Sequence, residues 1–312
     1  MTSLEMMVPI KGGTFFMGSD HFYPEEAPVR RVSVGSFLMD ATPVTNRAFG
    51  RFVAATGYVT LAERPATPER YPGVPAEALA PASAVFHPPR AILDRGNAYQ
   101  WWHYVSGADW RRPEGPDSSL DGREDHPVVH VAFEDATAYA QWVGKSLPTE
   151  AEWEFAARGG LDGADYVWGD ELTPGGVHLA NTWQGDFPWE NLLQDGYART
   201  SPVGSFPANG YGLYDMTGNV WEWTQDWFGP HQPPANSCCT IENPRGGAME
   251  NSVDPDMLDL AMPRKVLKGG SYLCAPNYCQ RYRPAARLAQ AIDTTTGHVG
   301  FRCVLRPGTT RE

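Results

Sequence analysis

Residues 210–223 have the sequence GYGLYDMTGNVWEW, in which three glycines precede a short alternation of tryptophan with other residues. The alternation has a period of two, which predicts a β-strand. Asp215 and Glu222 supply carboxylates, and extended backbone directs the carbonyls of Gly218 and Val220 to one side. These oxygens suit a calcium ion. The same residues equally describe a core strand with one exposed acid.

A second oxygen-rich segment lies upstream. Asn181 and Asp195 offer side-chain oxygens there, and Thr182 and Tyr197 offer backbone carbonyls. One interpretation is a further calcium site. The default interpretation is a loop that its asparagine and aspartate stabilise by local hydrogen bonds.

Capping signals predict three helices. The first begins after Thr45 and ends at Gly57, with a glycine stop. The second spans residues 135 to about 144, where apolar residues recur at helical spacing. The third begins with the capping box of residues 149–152 and ends at Gly159.

Strand signals surround these helices. Residues 7–18 predict a strand pair around the turn Gly12-Gly13, and residues 32–39 predict one further strand. Val128 and Val129 suggest a strand between His126 and His130, which would hold the two imidazoles roughly 13 Å apart. The histidines therefore predict no metal site.

The composition predicts a compact fold with little regular structure. The 312 residues include 32 Gly and 28 Pro, which interrupt long elements, and 11 Trp, which argue against disorder. The net charge of −12 argues against a nucleic-acid or anionic-membrane partner. No boundary divides the chain, so we expect one domain, 1–312, with a Pro/Ala-rich surface insertion at 63–90 and a flexible tail at 306–312. We found no signal peptide and no apolar span, and we expect a cytoplasmic monomer.

The segment 269–283, GGSYLCAPNYCQRYR, contains two of the five cysteines. Cys274 and Cys279 are interpretable as a disulfide or as two buried thiols. A structural zinc site is less favoured because no second cysteine pair follows at a suitable spacing. Two thiolates suit a soft ion such as Cu(I). Arg281 and Arg283 would favour the thiolate forms, or would pair with carboxylates.

Several segments together resemble one known family over almost the whole chain. They are 12–18 (GGTFFMG), 44–46 (VTN), 126–128 (HPV), 147–154 (LPTEAEWE), 209–214 (NGYGLY), 218–223 (GNVWEW), 269–271 (GGS) and 300–302 (GFR). The chain is similar to the formylglycine-generating enzymes, or sulfatase-modifying factors. Most of these segments mark the broader fold superfamily. The activity-level marker is the pair Cys274 and Cys279, with Ser271 before it and Arg281 and Arg283 after it.

The resemblance implies an α+β fold of C-type-lectin type and a copper-dependent oxidase. Such an enzyme uses O₂ to convert the cysteine of a Cys-x-Pro-x-Arg segment, in an unfolded or nascent sulfatase, to Cα-formylglycine. Cys274 and Cys279 would bind Cu(I), and the substrate thiolate would be a third sulfur ligand. The resemblance also implies that Ser271 orients the substrate or oxygen species, that Trp221 shapes the pocket, and that Tyr278, Arg281 and Arg283 bind the substrate. It further implies two structural calcium sites. The first would be formed by Asn181, Thr182, Asp195 and Tyr197, and the second by Asp215, Gly218, Val220 and Glu222.

The sequence departs from the family pattern at Ala275, where many members have histidine. Two other functions are alternatives to the oxidase for a chain with these segments. A sulfoxide synthase of the ergothioneine type would carry an iron-binding histidine domain, for which this chain lacks the histidines. A non-catalytic ligand-binding module of the same fold would not need two thiols.

Overall fold

The structure is a computed structural model that describes residues 7–69, 71, 73–90, 94, 97–231, 239–255 and 262–308. Within these ranges it contains three α-helices, α1 Asn46–Thr56, α2 Phe133–Trp142 and α3 Glu150–Arg158. The strands are short: β1 Met7–Ile10, β2 Gly13–Met17, β3 Arg30–Val34, β4 Phe37–Asp40, β5 Ala82–Phe86, β6 Trp102–Ser106, β7 Trp221–Trp227, β8 Ile241–Glu242, β9 Arg264–Lys268, β10 Arg287–Ala291, β11 Val299–Gly300 and β12 Val304–Leu305. This mixture of helices and small sheets confirms the α+β prediction.

The helix ends follow the predicted caps. The Thr45 hydroxyl accepts a hydrogen bond from Ala48 N–H at 3.2 Å, and Gly57 ends α1 in the left-handed conformation. At α3 the Thr149 hydroxyl accepts from Glu152 N–H, and the Glu152 carboxylate accepts from Thr149 N–H. The second helix begins two residues before the predicted start, because the Asp135 carboxylate accepts from Ala132 N–H and so caps the helix from its first turn.

The predicted hairpin around Gly12-Gly13 is wrong. Both strands form, but β1 pairs with β4 and β2 pairs with β3, in two different sheets. The predicted strand 32–39 is likewise split at Gly35 between β3 and β4. The backbone of Gly12 lies so close to residues 34 and 35 that any side chain there would overlap them. Two chain segments therefore cross where both pass from one sheet to the other.

The predicted strand at residues 126–130 is also wrong. Val128 and Val129 are buried, but the segment makes only one isolated bridge, from Pro127 to Thr45. His130 has a φ of 58°, outside the strand region. Its ring is buried between the Ser83 hydroxyl and the Pro113 carbonyl, which hold it by hydrogen bonds at 2.6 and 2.9 Å. Burial lowers the His130 pKa to about 4, so the ring stays neutral at neutral pH.

Strand β7 lies at the centre of the molecule. The largest sheet has the order β10-β9-β7-β11, in which the β7–β11 pair is parallel and the other two neighbouring pairs are antiparallel. Trp221 and Trp223 are almost fully buried, and Trp223 donates from its ring to the Val131 carbonyl. The predicted strand is thus confirmed, and it ties this sheet to the start of α2.

The Pro/Ala-rich segment 63–90 contains β5, and its Val85 and Phe86 are buried. Of the predicted tail, residues 309–312 lie outside the described residues. No helix in the described part of the chain is long and apolar enough to cross a membrane.

Candidate active site

The cysteine segment folds back on itself through two glycines. Gly269 and Gly270 both have positive φ, and a Cβ on Gly270 would lie 2.9 Å from the Arg281 carbonyl. A side chain at Gly270 would therefore push the two ends of the segment apart. Between them, Cys279 N–H donates to the Ala275 carbonyl at 2.9 Å, which closes a turn that brings the two sulfurs together.

The two sulfurs lie 3.1 Å apart and are reduced. This separation is much longer than the roughly 2.05 Å of a disulfide bond. Cys274 is buried and Cys279 is half-buried. The hydrogen bond that Cys274 donates lowers the Cys279 pKa to about 6, with help from Arg281, while burial raises the Cys274 pKa. Cys279 is thus the more readily ionised of the two thiols.

A cavity of about 470 Å³ opens on these sulfurs. One part of its wall is aromatic and apolar, and another carries hydroxyl, amide and imidazole groups. The lining residues are Ala84, Trp102, Phe187, Trp221, Ser271, Leu273, Cys274, Tyr278, Cys279, Arg281, Leu288, Gln290, Thr294, Thr296 and His298. The cavity is thus large enough for a few residues of an extended peptide.

The structure brings most of the predicted residues into this cavity. Trp221 and Ser271 are buried in its wall, and the Ser271 hydroxyl accepts from Leu273 N–H at 3.3 Å. Tyr278 lies at the rim, 45% exposed, and stacks on Phe187 with ring centroids 4.3 Å apart. The Tyr278 ring is thus held rigidly at the entrance.

The two predicted arginines differ in position. Arg281 lines the cavity, but it also donates to Glu25 and packs on the Tyr23 ring, 3.8 Å from its centroid. Arg283 is 1% exposed, forms an ion pair with Glu26 and is absent from the cavity wall. Arg283 therefore does not line the cavity, and its role in substrate binding stays a prediction. Its charge is neutralised inside the protein, where it holds the cysteine segment to residues 24–26.

No sequence motif predicted the polar part of the cavity wall, which is formed by Gln290, Thr294, Thr296 and His298. His298 accepts or donates at Nδ1 to the Thr296 hydroxyl, 2.9 Å away. Burial, and then the charge of His130, lower the His298 pKa to about 3, so the ring is neutral. The one sequence signal for His298 was its position directly before the segment 299–302, whose strand β11 pairs with β7.

The first predicted calcium loop has an oxygen in need of a partner. Asn181 is 1% exposed, and its Oδ1 atom receives no hydrogen bond, although Nδ2 donates to the Arg199 carbonyl. A buried acceptor without a donor is costly, so this atom fits a cation ligand. Asp195 accepts from Thr182 N–H and Tyr197 N–H, which gathers the four predicted residues in one loop.

The second predicted loop is organised differently. Asp215 is buried and accepts from Gly204 N–H at 2.7 Å. The Glu222 carboxylate, however, accepts from Arg302 at 2.8 Å and from the Trp153 ring at 2.7 Å, with no exposure of Glu222 or Arg302. Arg302 also donates to the Asp215 carbonyl, so a guanidinium stands between the two predicted acidic ligands. The Glu222 carboxylate is thus already satisfied by Arg302 and the Trp153 ring, and its role as a calcium ligand stays a prediction.

No group of three or more His, Cys, Asp or Glu side chains suited to a metal ion occurs in the part of the chain that the structure describes. A metal at the cavity would therefore have two protein ligands, the sulfurs of Cys274 and Cys279. Two sulfur donors beside an open cavity fit a soft ion of low coordination number and leave room for a ligand from the substrate. Cys238 lies outside the described residues.

The chain belongs to the family described as "Sulfatase-modifying factor enzyme 1-like domain", which matches residues 1–307. It is 53% identical over 307 residues to a formylglycine-generating enzyme of Mycobacterium tuberculosis, covering 97% of this chain and 99% of that protein. It is also 37% identical to a Bos taurus protein named "Inactive C-alpha-formylglycine-generating enzyme 2", over 97% of this chain and 88% of that protein. Membership alone therefore does not establish activity.

A solved structure, PvdO from Pseudomonas aeruginosa, shares the fold with a TM-score of 0.62 at 24% identity. The alignment covers 96% of this chain and 94% of that one. This likeness supports the fold, and the site has to be judged on its own residues.

Proposed function

We propose that the protein oxidises the cysteine of a Cys-x-Pro-x-Arg segment in an unfolded sulfatase polypeptide to Cα-formylglycine. The observation that carries the proposal is the pair of reduced sulfurs, 3.1 Å apart, on the wall of a cavity of peptide size. The similarity to named formylglycine-generating enzymes across nearly the full chain supports the substrate class.

Cys274 and Cys279 are the residues that would hold Cu(I). Bound there, the ion would supply the one-electron chemistry that lets O₂ react with a closed-shell thiol. The protein would favour the ionised form of one ligand, because the hydrogen bond with Cys274 and the charge of Arg281 lower the Cys279 pKa. The substrate thiol must lose its own proton to bind beside Cys279 as a further sulfur ligand.

The overall reaction fixes what else is needed. Conversion of the CH₂–SH group to CH=O removes two electrons and releases H₂S, whereas O₂ accepts four electrons. Two further electrons must come from a reductant, of which two thiols forming a disulfide are the simplest class. One substrate cysteine, one O₂ and two thiols then yield the aldehyde, H₂S, H₂O and one disulfide.

The cavity walls would orient the substrate. The Ser271 hydroxyl accepts from the backbone at Leu273, which leaves its proton for a bond to substrate or oxygen. Trp221 closes the floor of the cavity, and Tyr278 stacked on Phe187 would pack against the peptide at the rim. Arg281 faces the cavity, where its charge favours thiolates.

The test is turnover of a short peptide containing Cys-x-Pro-x-Arg with Cu(I), O₂ and a thiol reductant, followed by mass spectrometry at the cysteine. Aldehyde should form with the wild type and be lost in Cys274→Ser and Cys279→Ser. Cys239→Ser is the matched control, since Cys239 lies outside the cavity. Competition with a Cu(I) chelator should show that the first two variants, but not the control, lose copper affinity.

The existence of relatives named inactive favours one alternative, a binding module that retains the cavity without the chemistry. It predicts that the folded, copper-treated protein binds the peptide and leaves its cysteine unchanged. We further propose a structural calcium ion at the Asn181 loop, whose buried Oδ1 atom supports it.

A further inference from the structure

Among the residues that the structure describes, the hairpin formed by β5 and β6 has one edge without a neighbouring strand, and the pairing pattern shows which groups face it. Ala84 uses both backbone groups on the side away from β6, donating to the Thr295 carbonyl and accepting from Gly297 N–H. Ala84 lies opposite Tyr104 in the antiparallel register. Opposite residues in such a pair either both point inward or both point outward. Tyr104 therefore directs its N–H and C=O away from β5.

The same rule applies two residues away in each direction. Trp102 and Ser106 share the orientation of Tyr104, whereas His103 and Val105 bond to β5. The backbone groups of Trp102, Tyr104 and Ser106 have no hydrogen-bond partner among the residues that the structure describes. The outer side of β6 is thus a row of three donors and three acceptors.

Free strand edges are normally protected by lysine, proline, other charges or a bulge. Strand β6 has the sequence Trp-His-Tyr-Val-Ser, with none of these residues, and it pairs with β5 without a register shift. Tyr104 is 65% exposed. An unprotected edge of this kind is a site at which an extended segment of another chain can add as a strand.

The edge adjoins the cysteine cavity. Side chains of residues opposite each other lie on one face of the sheet. Ala84 and Trp102 are on the same face as Tyr104, and both line the cavity. A strand added to β6 would therefore present every second side chain on the face where the cavity lies.

We propose that β6 is the docking edge for the substrate polypeptide, which adds as an extended strand. This inference rests on the proposed function. In Cys-x-Pro-x-Arg the three specified residues are spaced by two, so in a strand they share one face and both x residues share the other. The cysteine, proline and arginine would face the cavity together.

The proline decides which residues bond to the edge. In a strand, alternate residues direct their backbone groups to the same neighbour. Proline has no N–H and is excluded from ladder positions that need one. The two x residues must therefore supply the N–H and C=O groups that meet Trp102, Tyr104 and Ser106, whereas the amides of the cysteine and arginine point away. The peptide must then run parallel to β6, because in an antiparallel pair the bonded residues lie directly opposite each other with their side chains on one face, which would turn the cysteine away from the cavity.

The experiment measures binding without chemistry. A peptide with serine in place of the reactive cysteine is titrated into copper-free protein by fluorescence anisotropy, with N-methyl groups placed singly along the backbone. Methylation of either x residue should weaken binding about tenfold, equivalent to about 1.4 kcal/mol. Methylation of the serine or arginine amide should change binding less than twofold. Equal effects at all four amides would overturn the proposal.

Two protein variants give an independent readout. Tyr104→Pro removes the outward N–H without removing a bond to β5, whereas Tyr104→Ala removes the ring and keeps the N–H. We expect the proline variant to bind the parent peptide about tenfold more weakly than the alanine variant, with both unfolding cooperatively in thermal scans. Equal affinity would refute the docking edge. Loss of a dimer in the proline variant, with peptide binding unchanged, would assign the edge to a second copy instead.

These results separate the two proposals. A parent peptide that is oxidised by the wild type, but whose binding ignores the position of the methyl group, overturns only the docking edge. A parent peptide that shows the alternating pattern but is never oxidised overturns only the chemistry.

Discussion

Replacement of Glu222 by glutamine tests the electrostatic centre of the fold. The Glu222 carboxylate accepts from Arg302 through Nε and Nη2 and from the Trp153 ring, at distances of 2.7 to 3.0 Å. Arg302 also donates to the carbonyls of Asp40, Ala41, Tyr214 and Asp215. Glutamine keeps the shape but removes the charge, which leaves a guanidinium uncompensated where Glu222 and Arg302 are both 0% exposed.

The expected cost is large because the pair is fully buried. Removal of one partner of a buried ion pair costs about 3–5 kcal/mol. Taking about 4 kcal/mol and the usual unfolding entropy per residue, the midpoint of thermal unfolding should fall by about 6 °C. The matched control is Asp125→Asn, because Asp125 pairs with Arg47 at the surface, with side chains 65% and 54% exposed. An exposed pair contributes about 0–1 kcal/mol.

The assay is urea and thermal unfolding of Glu222→Gln, Asp125→Asn and the wild type, each in calcium and in chelator. If Glu222→Gln lies within 1 kcal/mol of the wild type, Arg302 does not need its partner and the reasoning fails. The calcium comparison separates the two roles of this residue. We expect the loss to be the same in calcium and in chelator, because Arg302, and not a metal ion, neutralises the carboxylate. A loss confined to calcium would make Glu222 a calcium ligand.

Three further predictions concern the cavity and the first loop. Cys274→Ala should raise the Cys279 pKa from about 6 toward the ordinary value of about 8.5, because the hydrogen bond from position 274, the largest cause of the lowering, is lost. Thiolate absorbance against pH measures this, and an unchanged midpoint would contradict it. Chelation of calcium should lower the unfolding free energy of the wild type by about 2.7 kcal/mol if calcium was present at a hundred times its Kd. Asn181→Ala should abolish this difference between calcium and chelator. A difference that survives in the variant would exclude Asn181 as a ligand. Tyr278→Leu should raise KM for the peptide about two- to tenfold through loss of the stacking on Phe187, whereas Tyr278→Phe should not; equal KM values for both variants would exclude stacking.

Much of the local structure was predictable from short-range chemistry. The caps at Thr45 and Thr149 and the glycine stops depend on residues within one or two turns, so their signals lie in the sequence itself. The strand at Trp221 was predictable from its alternation. The pairing partners were not predictable, because β1 and β2 follow each other closely along the chain and nothing local tells them to join different sheets.

The candidate site shows the same division. The thiols of Cys274 and Cys279 were found because only residues 275–278 lie between them and a turn suffices to bring them together. The polar wall around His298 and strand β6, whose Trp102 lines the cavity, come from segments far away in the chain, and only packing places them at the cavity of the thiols. The position of Arg283 away from the cavity wall was not predictable, because sequence proximity to the cysteines says nothing about the direction of its side chain, which the ion pair with Glu26 sets.

The sequence by itself thus determined the family, the helix ends, the central strand and the pair of sulfurs, since each depends on residue types at short spacing. The tertiary structure alone decided which charged side chains are neutralised in buried ion pairs and which face the cavity. Glu222 and Arg283 could each have bound a ligand on sequence grounds, but each is buried against an opposite charge. In a buried ion pair each charge is neutralised by its partner. These two pairs form only because packing brings together residues that are 80 and 257 positions apart in the chain.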